Sequence, residues 1–242
     1  MLIKKTVDPD RRPDLLDMML GEGPGGEEPL DDTSLLNNFC TLFLAGHDTT
    51  ATTLSMALNL LALNPAAQDK AREEAKAVVG EKKSPSFEDQ KQMPYITNVI
   101  KETMRMYPPV MVMPPRELTK DVEVKGKVLK KGTLVTIPSY TLQHDRELWK
   151  DPFKFLPERH EERHHPYAWQ SFGAGQRVCL GNNFSLQEQR VFLSTLLLRY
   201  KLHPGPQTHS KQQQDSGRNF DIGIPTFMLP SNVFVRFEKI SS

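Results

Sequence analysis

From Leu35 to Asn64 the chain reads LLNNFCTLFLAGHDTTATTLSMALNLLALN, its only long apolar stretch. Residues Asp31 to Ser34 before it are good helix caps, and Pro65 after it cannot continue a helix. The stretch predicts one helix of roughly 30 residues, about 45 Å long. A membrane span needs about 20 predominantly apolar residues. This run is interrupted by His47, Asp48 and several threonines and asparagines, so it reads as a buried helix of a soluble domain. A helix apolar around so much of its circumference needs neighbours on most sides. The rest of the chain must largely supply helices to pack on it.

Prolines mark those helices. Pro65 suits the first turn of PAAQDKAREEAKAVV, which Gly80 ends, and Pro94 opens PYITNVIKETMRMY, which Pro108 and Pro109 close. From residue 121 the pattern changes. DVEVKGKVLKKGTLVTI alternates around glycine turns and reads as a small antiparallel sheet. Residues 138–178 read as largely irregular, a last long helix spans about Asn182 to Tyr200, and FDIGIPTFMLPSNVFVRFE reads as a final hairpin. GEGPGGEEPL, residues 21–30, is a linker, so residues 1–30 are expected to be flexible. The fold class is mainly α with a small segregated β part, α+β.

Composition excludes several functions. Lys plus Arg is 31 and Asp plus Glu is 30 among 242 residues, for a net charge of +1. That balance gives no footprint for nucleic acid. Two cysteines, Cys40 and Cys179, cannot make a disulfide framework. The apolar run after Met1 is too short for a signal peptide or a membrane anchor.

The most informative short stretch is SFGAGQRVCLGNNF, residues 171–184. Cys179 stands where a glycine-rich loop meets the last long helix. Unpaired amides and the helix dipole favour negative charge there, so a thiolate is stabilised. Glycines leave room for something large and flat, and Arg177 can pair with a carboxylate beside the sulfur. Those needs fit a thiolate that ligates haem iron, with the arginine on a propionate. Two other readings stay open at this point. One is a buried structural cysteine, which also suits Cys40. The other is a nucleophilic cysteine, which would want a histidine and an orienting partner that no local pattern supplies.

FGAGQRVCLG resembles, position by position, the Phe-x-x-Gly-x-Arg-x-Cys-x-Gly signature of cytochrome P-450 enzymes, here Phe172, Gly175, Arg177, Cys179 and Gly181. Three further stretches resemble that family in the same order. AGHDTT, residues 45–50, looks like its oxygen-activation motif, ETMR, residues 102–105, like its Glu-x-x-Arg helix, and DPFKFLPERH, residues 151–160, like its meander. In the meander His160 stands where an aromatic is usual. The resemblance implies haem b held by Cys179, with Arg177, Arg116 and His144 toward its propionates. It implies that Asp48 and Thr49 deliver protons for oxygen activation. It makes Glu102, Arg105 and Arg159 a buried structural cluster rather than a catalytic one. The implied reaction is haem-thiolate monooxygenation: one atom of dioxygen enters an apolar small molecule. VMVMP, residues 110–114, and PTFM, residues 225–228, look like the family's substrate-facing loops. The implied electron donor is a reductase docking near Lys150, Lys154 and Arg190.

RHEERHHP, with His160, His164 and His165, has the look of metal-ligand spacing but is expected to be a solvated loop. Members of the family are longer. This chain is expected to hold the C-terminal portion of the fold as one partial domain, residues 1–242, without the N-terminal half and its anchor. Intact relatives are expected at the endoplasmic reticulum membrane. The alternative function is a haem-binding or interaction fragment without turnover.

Overall fold

The computed structural model describes residues 13–22, 28–205, 228 and 233–240. The chain divides into two units, residues 1–47 and 48–242. The long helix α2, Asp32–Leu63, runs through the division. Its start is set by Asp31, whose Oδ1 accepts from the Thr33 and Ser34 amides at 3.0 and 2.9 Å.

In the first unit, the stretch expected to be flexible carries a short helix, α1, Leu15–Met19. A reciprocal cap explains it. Asp14 accepts from the Leu16 and Asp17 amides, and Asp17 accepts from the Asp14 amide at 2.6 Å. The early turns of α2 leave Leu36, Phe39, Phe43 and Leu44 exposed. The rings of Phe39, Phe43 and His47 stack in series at 6.4 and 5.9 Å, the spacing that i, i+4 positions give on one helix face.

The second unit is built on α3, Pro65–Val79, α4, Pro94–Met106, and α6, Asn182–Arg199. Ala71, Ala75, Ile96, Val99, Ile100, Leu193 and Leu197 form its fully buried centre. The prolines open α3 and α4 as expected, and Gly80 ends α3 at φ 58°, a backbone that glycine adopts without strain. Two buried polar side chains stitch the helix ends. Arg72 of α3 donates to Leu197 O and Tyr200 O at 3.0 and 3.1 Å, taking up carbonyls that the end of α6 leaves free. Gln68 donates to Leu61 O and Leu202 O and accepts from the Leu202 amide.

Among the described residues the β part is three two-stranded antiparallel pairs. β1, Arg116–Glu117, pairs with β4, Leu134–Val135. Between them β2, Val122–Val124, and β3, Lys127–Leu129, form a hairpin. Lys125 and Gly126, both at positive φ, make its two-residue turn, the geometry that matches strand twist. Within the stretch expected to be irregular, a short helix forms, α5, Ser139–Gln143. Most of the expected terminal hairpin lies outside the described residues; of its last residues, β6, Val235–Lys239, pairs with β5, Tyr200–Pro204, directly after α6.

Candidate functional site

The Cys179 loop is shaped by backbone. Gly173 and Gly175 lie at φ 71° and 73°, which other residues reach only with strain. A single 3-10 turn over Gly175–Arg177 follows, closed by the Val178 amide on Gly175 O at 3.1 Å. The Cys179 amide then donates back to Phe172 O at 2.9 Å, fixing the cysteine at the loop's return. α6 begins three residues later, at Asn182. The thiol is exposed. Around it Val178, Leu180 and Phe184 are exposed too, Leu180 at 83% and Phe184 at 70%. A Cβ on Gly181 would sit 3.9 Å from the sulfur, an ordinary contact, so the chain's own packing does not demand glycine there. Arg177 and Arg116, on the 3-10 turn and on β1, are exposed. An accessible thiol, bare apolar side chains and the Arg177 guanidinium two residues away fit a flat apolar group with an anionic edge.

The AGHDTT motif comes near this loop through α6. Thr50 Oγ1 and Ser185 Oγ lie 3.0 Å apart, so α2 rests on the first turn of the helix that follows Cys179. Asp48 is exposed and Thr49 half-buried. Thr53 Oγ1 donates to Thr49 O at 3.0 Å, an extra bond on a helix carbonyl of the kind that bends helices. Thr52 Oγ1 donates to Met228 O at 3.3 Å, and the Met228 amide donates to Pro109 O at 2.9 Å. Met228 thereby ties the PTFM segment to the start of VMVMP. Residues 225–227 lie outside the described residues.

The Glu102 cluster is fully formed. Glu102 and Arg105 are wholly buried. Arg105 Nε and Nη2 donate to Glu102 Oε2 and Oε1 at 2.8 and 2.9 Å, and Arg159 Nε donates to Oε1 at 2.9 Å. The Leu156 amide adds a bond to Oε1 at 3.1 Å. Burial alone would raise this carboxyl, but hydrogen bonds from His160 and Arg105 outweigh it and hold it at about 2.

A scan of known protein families matches the chain to the family model for cytochrome P450 over residues 2–229. The chain belongs to the cytochrome P450 family. It is 35% identical to a taurochenodeoxycholic 6 alpha-hydroxylase of Sus scrofa, covering 84% of this chain and 40% of that protein. It is also 35% identical to cytochrome P450 3A7 of Homo sapiens, over 74% of this chain and 36% of the relative. To the probable cytochrome P450 4s3 of Drosophila melanogaster it is 34% identical, over 91% and 43%. The chain thus spans about 40% of the length of the curated relatives it matches.

Within this P450 chain, the link between the Glu102 cluster and the cysteine loop is a residue the sequence did not single out. Arg105 Nη1 donates to Gln143 O at 2.8 Å. The wholly buried Gln143 side chain accepts from the Gln170 amide at 3.0 Å and from Ser171 Oγ at 2.9 Å. Its own amide reaches toward Met104 O and Arg105 O at 3.3 and 3.4 Å. Gln143 therefore carries the end of α4 to the first residues of the cysteine loop. A glutamine in TLQHDRE reads as solvated, so only its burial reveals the role.

His144 follows directly on α5. Its Nδ1 faces Tyr140 O at 2.8 Å and must donate, which leaves Nε2 as a bare acceptor. Burial lowers its pKa to about 4. Its ring stacks on Tyr140 at 4.2 Å and lies 5.1 Å from Phe153. Arg190 is also engaged: its Nε donates to Thr97 Oγ1 at 3.0 Å, joining α6 to α4. A separate cavity of about 790 Å³, lined by Asn59, Leu60, Met106, Trp149, Phe153 and Phe155 among others, does not include Cys179 or Arg177. Among the described residues no cluster of His, Cys, Asp and Glu could hold a metal ion, and no helix is long and apolar enough to cross a membrane.

Proposed function

We propose that this chain carries the haem-thiolate centre of a monooxygenase that hydroxylates an apolar small molecule. The observation that carries the reading is the exposed Cys179 thiol, held by the Phe172 carbonyl in a glycine loop, ringed by bare apolar side chains and pinned beside α2. Cys179 would hold the iron of haem b, Arg177 and Arg116 would pair with its carboxylates, and Phe172, Gly175 and Gly181 would shape the loop against it. When bound, the haem supplies oxygen activation, which a thiolate ligand favours. The protein's own part is narrower. The Cys179 amide bond to Phe172 fixes the sulfur just before α6. Asp48 and Thr49 move protons into the site along α2. One relative's name denotes a hydroxylase, and hydroxylation is the reaction class extended here.

The electron donor is a reductase, and Lys150 and Lys154 are exposed for its docking. The membrane setting is the endoplasmic reticulum. A second reading, a haem-binding fragment without turnover, is favoured by the exposed early turns of α2. The test is the absorption spectrum of the haem-loaded chain, reduced and under carbon monoxide. A thiolate-type red-shifted Soret band is expected, and it is lost in Cys179→Ser. A band that survives that substitution overturns Cys179 as ligand.

A further inference from the structure

The sequence places His160 at a position where an aromatic ring is usual, and the structure gives it a polar task. Its Nε2 lies 3.0 Å from Glu102 Oε2 and its side chain is 6% exposed. Glu102 Oε1 already receives Arg105 Nη2, Arg159 Nε and the Leu156 amide. Oε2 receives only Arg105 Nε besides His160. An ionised carboxylate accepts and cannot donate, so His160 Nε2 carries the proton. The ring also sits 5.9 Å from Trp149, whose face is approached by the Arg105 and Arg159 guanidiniums at 5.3 and 6.0 Å. We infer that His160 is a proton-sensitive positioning residue: as the neutral Nε2–H tautomer it completes the donor set of Glu102 and holds the meander on α4.

The charges around it explain the sensitivity. From α4 it faces Glu102, Arg105 and Lys101. From its own segment it faces Arg159 on the same carboxylate and His164, ring to ring at 6.1 Å. One carboxylate between two guanidiniums leaves the cluster with an excess of positive charge before His160 is counted. A second excess charge in a buried site is costly. Burial lowers the His160 pKa, and the Glu102 hydrogen bond only partly opposes it. Acid therefore disfavours the closed cluster. Phenylalanine at this position would keep the Trp149 contact but leave Oε2 with one donor and nothing to titrate.

The test needs no haem, so it stands whether or not Cys179 is an iron ligand. The full chain, His160→Phe and His160→Gln are unfolded in urea from pH 8 to pH 5, followed by tryptophan fluorescence. Below pH 6.5, unfolding of the wild type is expected to take up more protons than that of either variant, read from the slope of stability against pH. His144 is common to all three and cancels. At pH 8, His160→Gln, which keeps a donor, is expected to lie closer to wild type than His160→Phe. Imidazole ¹⁵N shifts of the wild type at neutral pH are expected to show the Nε2–H tautomer. Parallel pH profiles, or an Nδ1–H tautomer, overturn the inference.

Discussion

Gly175 shows how a single residue sets the candidate site. A Cβ there would meet nothing within 4 Å, so space is not the constraint. The constraint is φ 73°, which costs an L residue roughly 1–2 kcal/mol. Gly175→Ala is expected to lower stability by about that amount in urea unfolding. An unchanged midpoint would mean that the loop relaxes freely. Cys179→Ser should remove the thiolate spectrum while Cys40→Ser, on the exposed turns of α2, leaves it intact. If both serine variants gave the same spectrum, the sulfur of Cys179 would not be the ligand. At this scale the sequence is legible where chemistry demands a residue type at a spacing: Phe172, Gly175, Arg177, Cys179 and Gly181 announce their loop. Gln143 does not, because nothing in a glutamine's neighbours says that the chain will bury it. The tautomer of His144 is equally silent, since it follows from a carbonyl four residues back.

Between elements, buried charge is the strongest tie. Glu102→Ala leaves Arg105 buried without its carboxylate, and breaking such a pair costs about 3–5 kcal/mol. The variant is expected to give little soluble protein. A well-folded variant that is merely slow in turnover would instead assign Glu102 to the chemistry. His144 adds a pH dependence. Its folded pKa, about 4, lies below the ordinary value of 6.5, so the folded state binds the proton less well than the unfolded one. Its contribution is complete above pH 6.5 and is lost as pH falls toward 4, by up to about 3 kcal/mol. His144→Phe should flatten that limb of the stability profile, and an equally steep limb in the variant would contradict the burial argument. Helices were legible because proline and glycine punctuate them: α3, α4 and α6 begin where the sequence predicts. β5 was not, because a strand that follows a helix without a break carries no turn signal. Its partner β6 is far along the chain, and only tertiary pairing specifies it. α5 is five residues long, too short to leave a periodic signature.

For the whole molecule, the decisive feature is the first unit. Leu36, Phe39, Phe43 and Leu44 are each about 60% exposed on successive turns of α2. The stacked series Phe39, Phe43 and His47 makes that face continuous. Exposed apolar patches of this kind mark interaction surfaces or aggregation hazards. The later turns behave differently: Met56, Ala57, Leu60 and Leu61 are buried in the second unit. One helix is thus half core and half bare, and the AGHDTT motif lies where burial begins. Oxygen activation requires dry, preorganised surroundings, and a proton relay open to bulk water leaks. The 242 residues alone are therefore expected to bind haem without sustaining coupled hydroxylation. Supplied with haem, a reductase and electrons, the chain should consume oxygen with peroxide as the main product. Replacing Phe39 and Phe43 by glutamate should reduce self-association in sedimentation. Sustained turnover with one product per electron pair would contradict the expectation of uncoupled turnover.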